Sequence, residues 1–193
     1  NGGPVSILNN NTLANSDFIT GAFPTEYGNA LSGVFDLKMR DGNNEKMEYT
    51  GQIGFSGVEF MAEGPIKKSK SSFLVNYRYS TLDFLSSLGF DFGSSGAPRW
   101  QDLTMKLNFG KTRAGNFSVF AIGGLSGTNI NDSKKTNDEF DKLSSPQDLD
   151  FSSGMFAAGL VHTISLSKNS YMKTVISASG ERNRTTLDSL SPS

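Results

Sequence analysis

FPTEYGNALSGVFDLKMR, Phe23 to Arg40, decides how the rest of this chain is read. Its first half is a turn. Pro24 fixes its own φ and pushes Phe23 towards an extended conformation. Gly28 and Asn29 tolerate positive φ. Its second half alternates. Gly33, Phe35, Leu37 and Met39 fall on one side. Ser32, Asp36, Lys38 and Arg40, with Val34 among them, fall on the other. Period two with one apolar side is the pattern of a half-buried strand, here Ser32 to Arg40. Asp41-Gly42-Asn43-Asn44 ends it.

The same period recurs downstream. Tyr49, Gly51, Ile53 and Phe55 alternate with Thr50, Gln52, Gly54 and Ser56. Val58, Phe60 and Ala62 alternate with Glu59, Met61 and Glu63, and Gly64-Pro65 breaks that strand. After a polar turn at Lys67 to Lys70, Phe73, Val75, Tyr77 and Tyr79 alternate with Ser72, Leu74, Asn76, Arg78 and Ser80. Leu103, Met105, Leu107 and Phe109 alternate with Asp102, Thr104, Lys106 and Asn108. Gly110 to Gly115 turns into a less regular strand, Asn116 to Leu125. Phe156, Ala158, Leu160, Ile164 and Leu166 share a face in the next strand, and Tyr171 to Arg182 is the last. These are about seven strands of about ten residues each, the length that crosses a bilayer when tilted. Strands of soluble sheets average nearer five or six.

Upstream, residues 1–20 are polar and asparagine-rich. Val5 to Leu8 and Leu13 to Ile19 read as short strands or turns. Asn9, Asn10, Asn11 and Asn15 read first as turn chemistry and second as a ligand contact.

Composition agrees with strands that need only one apolar face. Hydrophobic residues are 36% and charged residues 19% of 193, with 21 glycines, and both percentages are low for a packed soluble domain. The formal net charge is −1 and no basic run carries interleaved aromatics, so nothing points to nucleic acid. The absence of cysteine removes disulfides and thiolate metal sites. No run of about 18 apolar residues reads as a transmembrane helix.

Nothing in the pattern points to an enzyme. His162 is the single histidine, and its strand neighbours Val161 and Thr163 face the other way, so no nucleophile stands beside it. Asn131-Asp132-Ser133 and Asp138 to Asp141 offer oxygen ligands, but Lys134, Lys135 and Lys142 interleave and the spacing is not that of a calcium loop. The reading is therefore of no catalytic residues, no metal ligands and no cofactor. Tyr77, Tyr79, Trp100 and Phe109 fall near strand ends, as in the aromatic girdles of membrane barrels.

FPTEYGNALSGVFDLKMRDGNNEK closely resembles the end of the plug domain in TonB-dependent outer-membrane receptors of the Bacteroidota. The best match is to the SusC-like, carboxypeptidase-regulatory-domain-associated branch. The motif residues are Phe23, Pro24, Glu26, Tyr27, Gly28, Asn29 and Gly33. The resemblance continues through Ala62 to Thr81 and Ala97 to Gly110 and thins after Leu125. It implies an all-β fold: the last part of a plug, residues 1–44, then the first strands of a transmembrane antiparallel barrel, residues 45–193. Such transporters have about twenty-two strands around a plugged lumen. It further implies that a signal sequence, a TonB box and most of the plug lie upstream, and most of the barrel downstream.

Import of a nutrient across the outer membrane is the implied activity. The implied partners are outer-membrane lipid, the TonB energy-coupling protein (through segments outside this stretch), a lipoprotein lid and an extracellular nutrient ligand. An outer-membrane adhesin, secretion component or enzyme, or a soluble all-β binding module, is the alternative. Asn76, Arg78, Asp102 and Lys106 would be lumen-facing polar residues opposite the plug, with Arg78 and Asp102 paired across the ladder. Phe35, Leu37 and Met39 would pack inside the plug, leaving Asp36, Lys38 and Arg40 at its polar boundary.

Loop lengths set the direction. Connections at Pro65–Lys70, Lys111–Ala114 and Lys168–Ser170 are short; Thr81–Arg99 and Ser126–Ser152 are long. Short turns are periplasmic and long loops external in outer-membrane barrels, so Lys67, Lys68 and Lys70 would be periplasmic. That parity requires a tight turn near Ser56, with Tyr49–Phe55 antiparallel to Val58–Glu63.

Overall fold

The computed structural model describes residues 7–21, 23–28, 32–55, 57–68, 70–82, 85, 88–89, 98–134 and 147–189. The chain is all-β. A two-stranded ribbon is formed by β1 (Asp17–Ile19) and β2 (Val34–Asp36), with Phe18 opposite Phe35. The other strands are β3 (Glu48–Gly54), β4 (Gly57–Lys67), β5 (Ser71–Ser80), β6 (Arg99–Thr112), β7 (Gly115–Asn131), β8 (Gln147–Ser167) and β9 (Ser170–Ser189). They form one antiparallel sheet in chain order, with β3 and β9 as its edges. Among the described residues no helix is long and apolar enough to cross a membrane.

Tyr49 pairs with Ala62, and Gly54 pairs with Gly57. The hairpin therefore turns tightly between Gly54 and Gly57, and Ser56 itself lies outside the described residues. This turn lies at the same end of the sheet as the long connections 81–98 and 132–146. The short connections after β4, β6 and β8 lie at the other end.

Several elements run longer than their periodicity suggested. β4 continues through Gly64-Pro65 to Lys67, because Pro65 sits beside a register shift where its missing N–H is tolerated. Gly110 belongs to β6, at a bulge between Asn108 and Lys111. Its φ is +69°, and a Cβ there would fall on the Lys70 carbonyl oxygen, so only glycine fits. β7, β8 and β9 have 17, 21 and 20 residues, about twice the expected ten, because their pairing continues into what the sequence marked as loop. Ser126 to Asn131, with Ile130 their one large apolar residue, carry no apolar period, yet their backbones pair with residues 148–153.

The plug-like stretch is corrected in the opposite sense. The expected strand from Ser32 to Arg40 shrinks to Val34–Asp36, followed by an isolated Leu13–Met39 bridge. Phe35 stacks on Phe18, with ring centroids 4.3 Å apart, but remains 68% exposed, and Leu37 is 40% exposed. Their expected burial fails because the ribbon has only two strands and no described layer covers it. Gly28 has φ −58°, so the turn does not use positive φ there, and Asn29 lies outside the described residues.

The two faces of the large sheet differ. Direct cross-strand partners share a face. One face carries Glu59, Met61 and Glu63 of β4, Leu74, Asn76 and Arg78 of β5, and Asp102, Thr104 and Lys106 of β6. Residues 7–11 and 39–43 lie against it. The open face carries Ile53, Phe60, Tyr77, Leu103, Leu125, Phe156 and Ile176, all between 42% and 91% exposed. Buried apolar residues are few, namely Met61, Leu74 and Leu82 among the described residues. Asn76, Thr104 and Thr12 are more deeply buried than most apolar side chains. Water-soluble domains bury apolar residues and expose polar ones; this sheet does the reverse.

Candidate functional site: a polar seam over strands β4 to β6

The seam is built where residues 9–11 and 39–43 meet the covered face. Its N-terminal part is a single 3-10 turn, Asn10–Thr12. Asn9 caps it, accepting from the Asn11 N–H at 2.8 Å. That turn aims two side chains at the sheet. The Asn9 amide donates to the Asn76 Oδ1 at 3.1 Å, and the Asn11 amide donates to the Glu59 Oε1 at 2.8 Å. Asn76 closes a ring of four residues by donating to the same Glu59 oxygen at 2.8 Å. Asn76 is fully buried and spends both its amide groups. The asparagine cluster thus does turn chemistry and side-chain contact at once.

Arg40 is the centre of the seam. Nη1 and Nη2 donate to the two Glu63 oxygens at 2.7 and 2.6 Å, a bidentate, charge-assisted pair. Nε donates to the Asn11 carbonyl at 2.6 Å. Glu63 also accepts from the Asn43 N–H at 2.8 Å. Bonding to Glu63 raises the Arg40 pKa above its already high ordinary value, so the guanidinium stays charged. One residue further on, the Asp41 carboxylate accepts from Lys106 Nζ at 2.8 Å and from the Asn108 amide at 2.6 Å, while Lys106 also reaches the Met39 carbonyl. Gly42 then passes so close to β5 that a Cβ would lie 2.0 Å from the Phe73 carbonyl oxygen. A side chain at that position would push the segment off the sheet.

Arg78 and Asp102 lie opposite each other in the ladder between β5 and β6. Arg78 Nε and Nη2 donate to the two Asp102 oxygens at 2.9 and 2.8 Å. The guanidinium lies 5.4 Å from the Trp100 ring centroid, within cation–π range. Trp100 is therefore on the covered face and not in an outward aromatic girdle. Tyr77 keeps to the open face, where its hydroxyl donates to the Gln101 Oε1 at 2.8 Å.

The four polar residues read from the sequence, Asn76, Arg78, Asp102 and Lys106, are thus brought to one face beneath one segment. The turn motif is not part of this seam. Phe23 and Tyr27 are half-buried, Pro24 is exposed, and Glu26 sits in the 3-10 turn Thr25–Tyr27. Gly33 lies under the Phe18 ring. Glu59, Glu63, Asp41, Asn43 and Asn108 also belong to the seam and were not singled out. The signal for Glu59 and Glu63 was their period-two alternation with Phe60 and Ala62. For Asp41, in a turn, there was none.

His162 stacks on Phe117 at 4.3 Å and donates to the Ala114 carbonyl at 2.7 Å, where it closes a hairpin end. Among the described residues no group of three histidine, cysteine or carboxylate side chains is placed to hold a metal.

By its fold the chain is an all-β protein with a seven-stranded antiparallel sheet and a polar segment against one face. No family model, no curated protein and no solved structure matches it.

Proposed function

We propose that this chain is the end of the plug, residues 1–44, and the opening barrel strands, residues 45–193, of a TonB-dependent outer-membrane transporter that imports a nutrient. One observation carries the proposal: the sheet is inverted. On β7 the open face reads Phe117, Val119, Ala121, Gly123 and Leu125 without a polar interruption. That is about 26 Å of strand, the order of the apolar band of a membrane barrel. The opposite face hydrogen-bonds a separate segment through charged and amide groups, as a plug would be held in a lumen. The loop-length parity supports the same orientation, with the long connections outside.

In this reading the open face meets outer-membrane lipid, and β3 and β9 pair with further strands, because an unpaired edge costs several kcal/mol per group in hydrocarbon. The nutrient and a lipoprotein lid engage the long-loop end. The energy-coupling protein acts on plug segments outside this chain. The chain performs no catalysis. Asn9 and Asn11, with Arg40 to Asn43, tie this part of the plug to the wall, so remodelling of the plug falls outside these contacts.

Spin labels placed singly along β6, from Gln101 to Phe109, and at Arg113 in the turn that follows it, test this in the full-length protein. Labels at Leu103, Met105 and Leu107 should be reached by oxygen and shielded from a water-soluble nickel chelate. A label at Arg113 should be reached by the chelate. Equal chelate access at Leu103 and Arg113 would mean that a soluble sheet replaces the membrane reading.

A further inference from the structure

We propose that the open face carries a binding site for a lipid headgroup bearing more than one phosphate, at the long-loop rim of the apolar band. The inference rests on the membrane reading above and adds a ligand to it. Tyr79, Gln101, Leu125, Gly154 and Arg182 form one row across β5 to β9. The next row towards the long connections is Arg99, Gly127, Ser152 and Arg184. Three arginines therefore share one face in two adjacent rows, all exposed. The amide oxygen of Asn129, oriented to satisfy both its neighbours, takes a hydrogen bond from Arg99 at 3.2 Å, which fixes Arg99 on this side.

Between the arginines the wall is low. Gly127, Ser152 and Gly154 separate them, and two shallow depressions lie on either side of Leu125. One runs to Arg99, Gln101 and Tyr79; the other runs to Arg182, Arg184 and Phe156. Leu125 folds over Gly154 and the Phe156 ring over Gly180, so the floor is apolar while the outer lip is cationic. Arg99 and Arg184 are three strand spacings apart, about 14 Å, too far for one phosphate to bridge and within the span of a larger headgroup.

The level is that of lipid phosphates. The hydroxyl of Tyr77 already reaches out of the apolar band to Gln101, as amphipathic rings do at a membrane interface. Arg182 lies in the row of Gln101, and Arg99 and Arg184 lie in the next row out. Of the acidic groups on this face, Asp150 lines the outer edge of the depression that holds Arg99, one row beyond it, and Asp148 and Asp188 stand in the row after, so three arginines face one carboxylate at the site. A guanidinium fork matches phosphate geometry, and cations at headgroup level attract anionic lipid.

The full-length protein in mild detergent is loaded with an acylated disaccharide lipid carrying two phosphates, or with its dephosphorylated form, and retained lipid is measured by native mass spectrometry. The wild type should hold the phosphorylated lipid about ten-fold better, and Arg99→Gln with Arg182→Gln and Arg184→Gln should remove that preference. Millimolar inorganic phosphate should not displace the lipid. Equal retention of both lipids by the wild type, an undiminished preference in the triple variant, or displacement by inorganic phosphate overturns the lipid site. In a protein that still requires detergent, these outcomes leave the membrane reading standing. A protein that remains dispersed and folded without detergent overturns both.

Discussion

The covered and open faces of one sheet solve opposite problems. On the covered face, Arg40–Glu63 and Arg78–Asp102 are charged pairs with little exposure, each bidentate. On the open face, Phe60, Leu103 and Phe156 stand about half exposed with nothing described against them. In water the open face would be the liability. In hydrocarbon it is the stable side, and the polar groups gather where another segment satisfies them. The stability of this protein therefore depends on polar complementarity inside and on its surroundings outside.

The largest effect should come from the covered face. Glu63→Ala leaves the Asn43 N–H without its acceptor and the Arg40 guanidinium with the Asn11 and Asp41 carbonyls, its counter-charge gone. Removing one partner of a buried pair costs about 3–5 kcal/mol. Hydrogen exchange at the Arg40 and Asn43 amides should accelerate accordingly, while exchange in β7 and β8 stays unchanged. Unchanged protection at both amides would mean that the seam does not hold the segment.

A charge on the open face comes next. Leu103→Arg should cost about 2–4 kcal/mol if the face meets lipid near mid-depth. In water a surface substitution at this exposed position should stay within about 0.5 kcal/mol. Folding titrations into vesicles and in aqueous buffer separate the two values, and the smaller one in vesicles would break the contrast between faces.

Phe35→Ala should cost about 1 kcal/mol, the order of one aromatic pair, because Phe35 stacks on Phe18 and is otherwise exposed. A loss of about 4 kcal/mol in chemical denaturation would show that a further layer buries the ribbon.

Lys38→Ala should be the smallest. Lys38 is exposed, and its hydrogen bond to Asp17, then that to Asp36, raise its pKa above the ordinary lysine value. A raised pKa contributes stability below the ordinary lysine range and loses it as pH rises through the folded value. Wild type and variant should therefore show the same unfolding midpoint from pH 6 to 9, with any difference constant across that window. A difference that grows between pH 6 and 9 would contradict the assignment.

Much of the covered face was legible before any coordinates. Asn76, Arg78, Asp102 and Lys106 alternate with Val75, Tyr77, Leu103 and Met105, and a strand has only two sides. The pairing of Arg78 with Asp102 followed from that alternation and from adjacency of the two strands. The turn between Gly54 and Gly57 followed from the parity of loop lengths. Arg40 was legible as a boundary charge but not as the partner of Glu63. Trp100 was misassigned because its place near a strand end suggested a girdle, whereas its parity with Asp102 puts it with Arg78.

The amino-acid sequence by itself determined which residues share a face and where the chain turns, since periodicity and turn chemistry are local. Tertiary structure alone decided that Asn9 meets Asn76 and Arg40 meets Glu63, 67 and 23 residues apart. It also decided that β8 runs for 21 residues and β2 for three. Backbone pairing continues wherever a neighbour offers free groups, whatever the side chains, and stops where none does; that depends on what lies alongside, which no stretch of chain carries in itself.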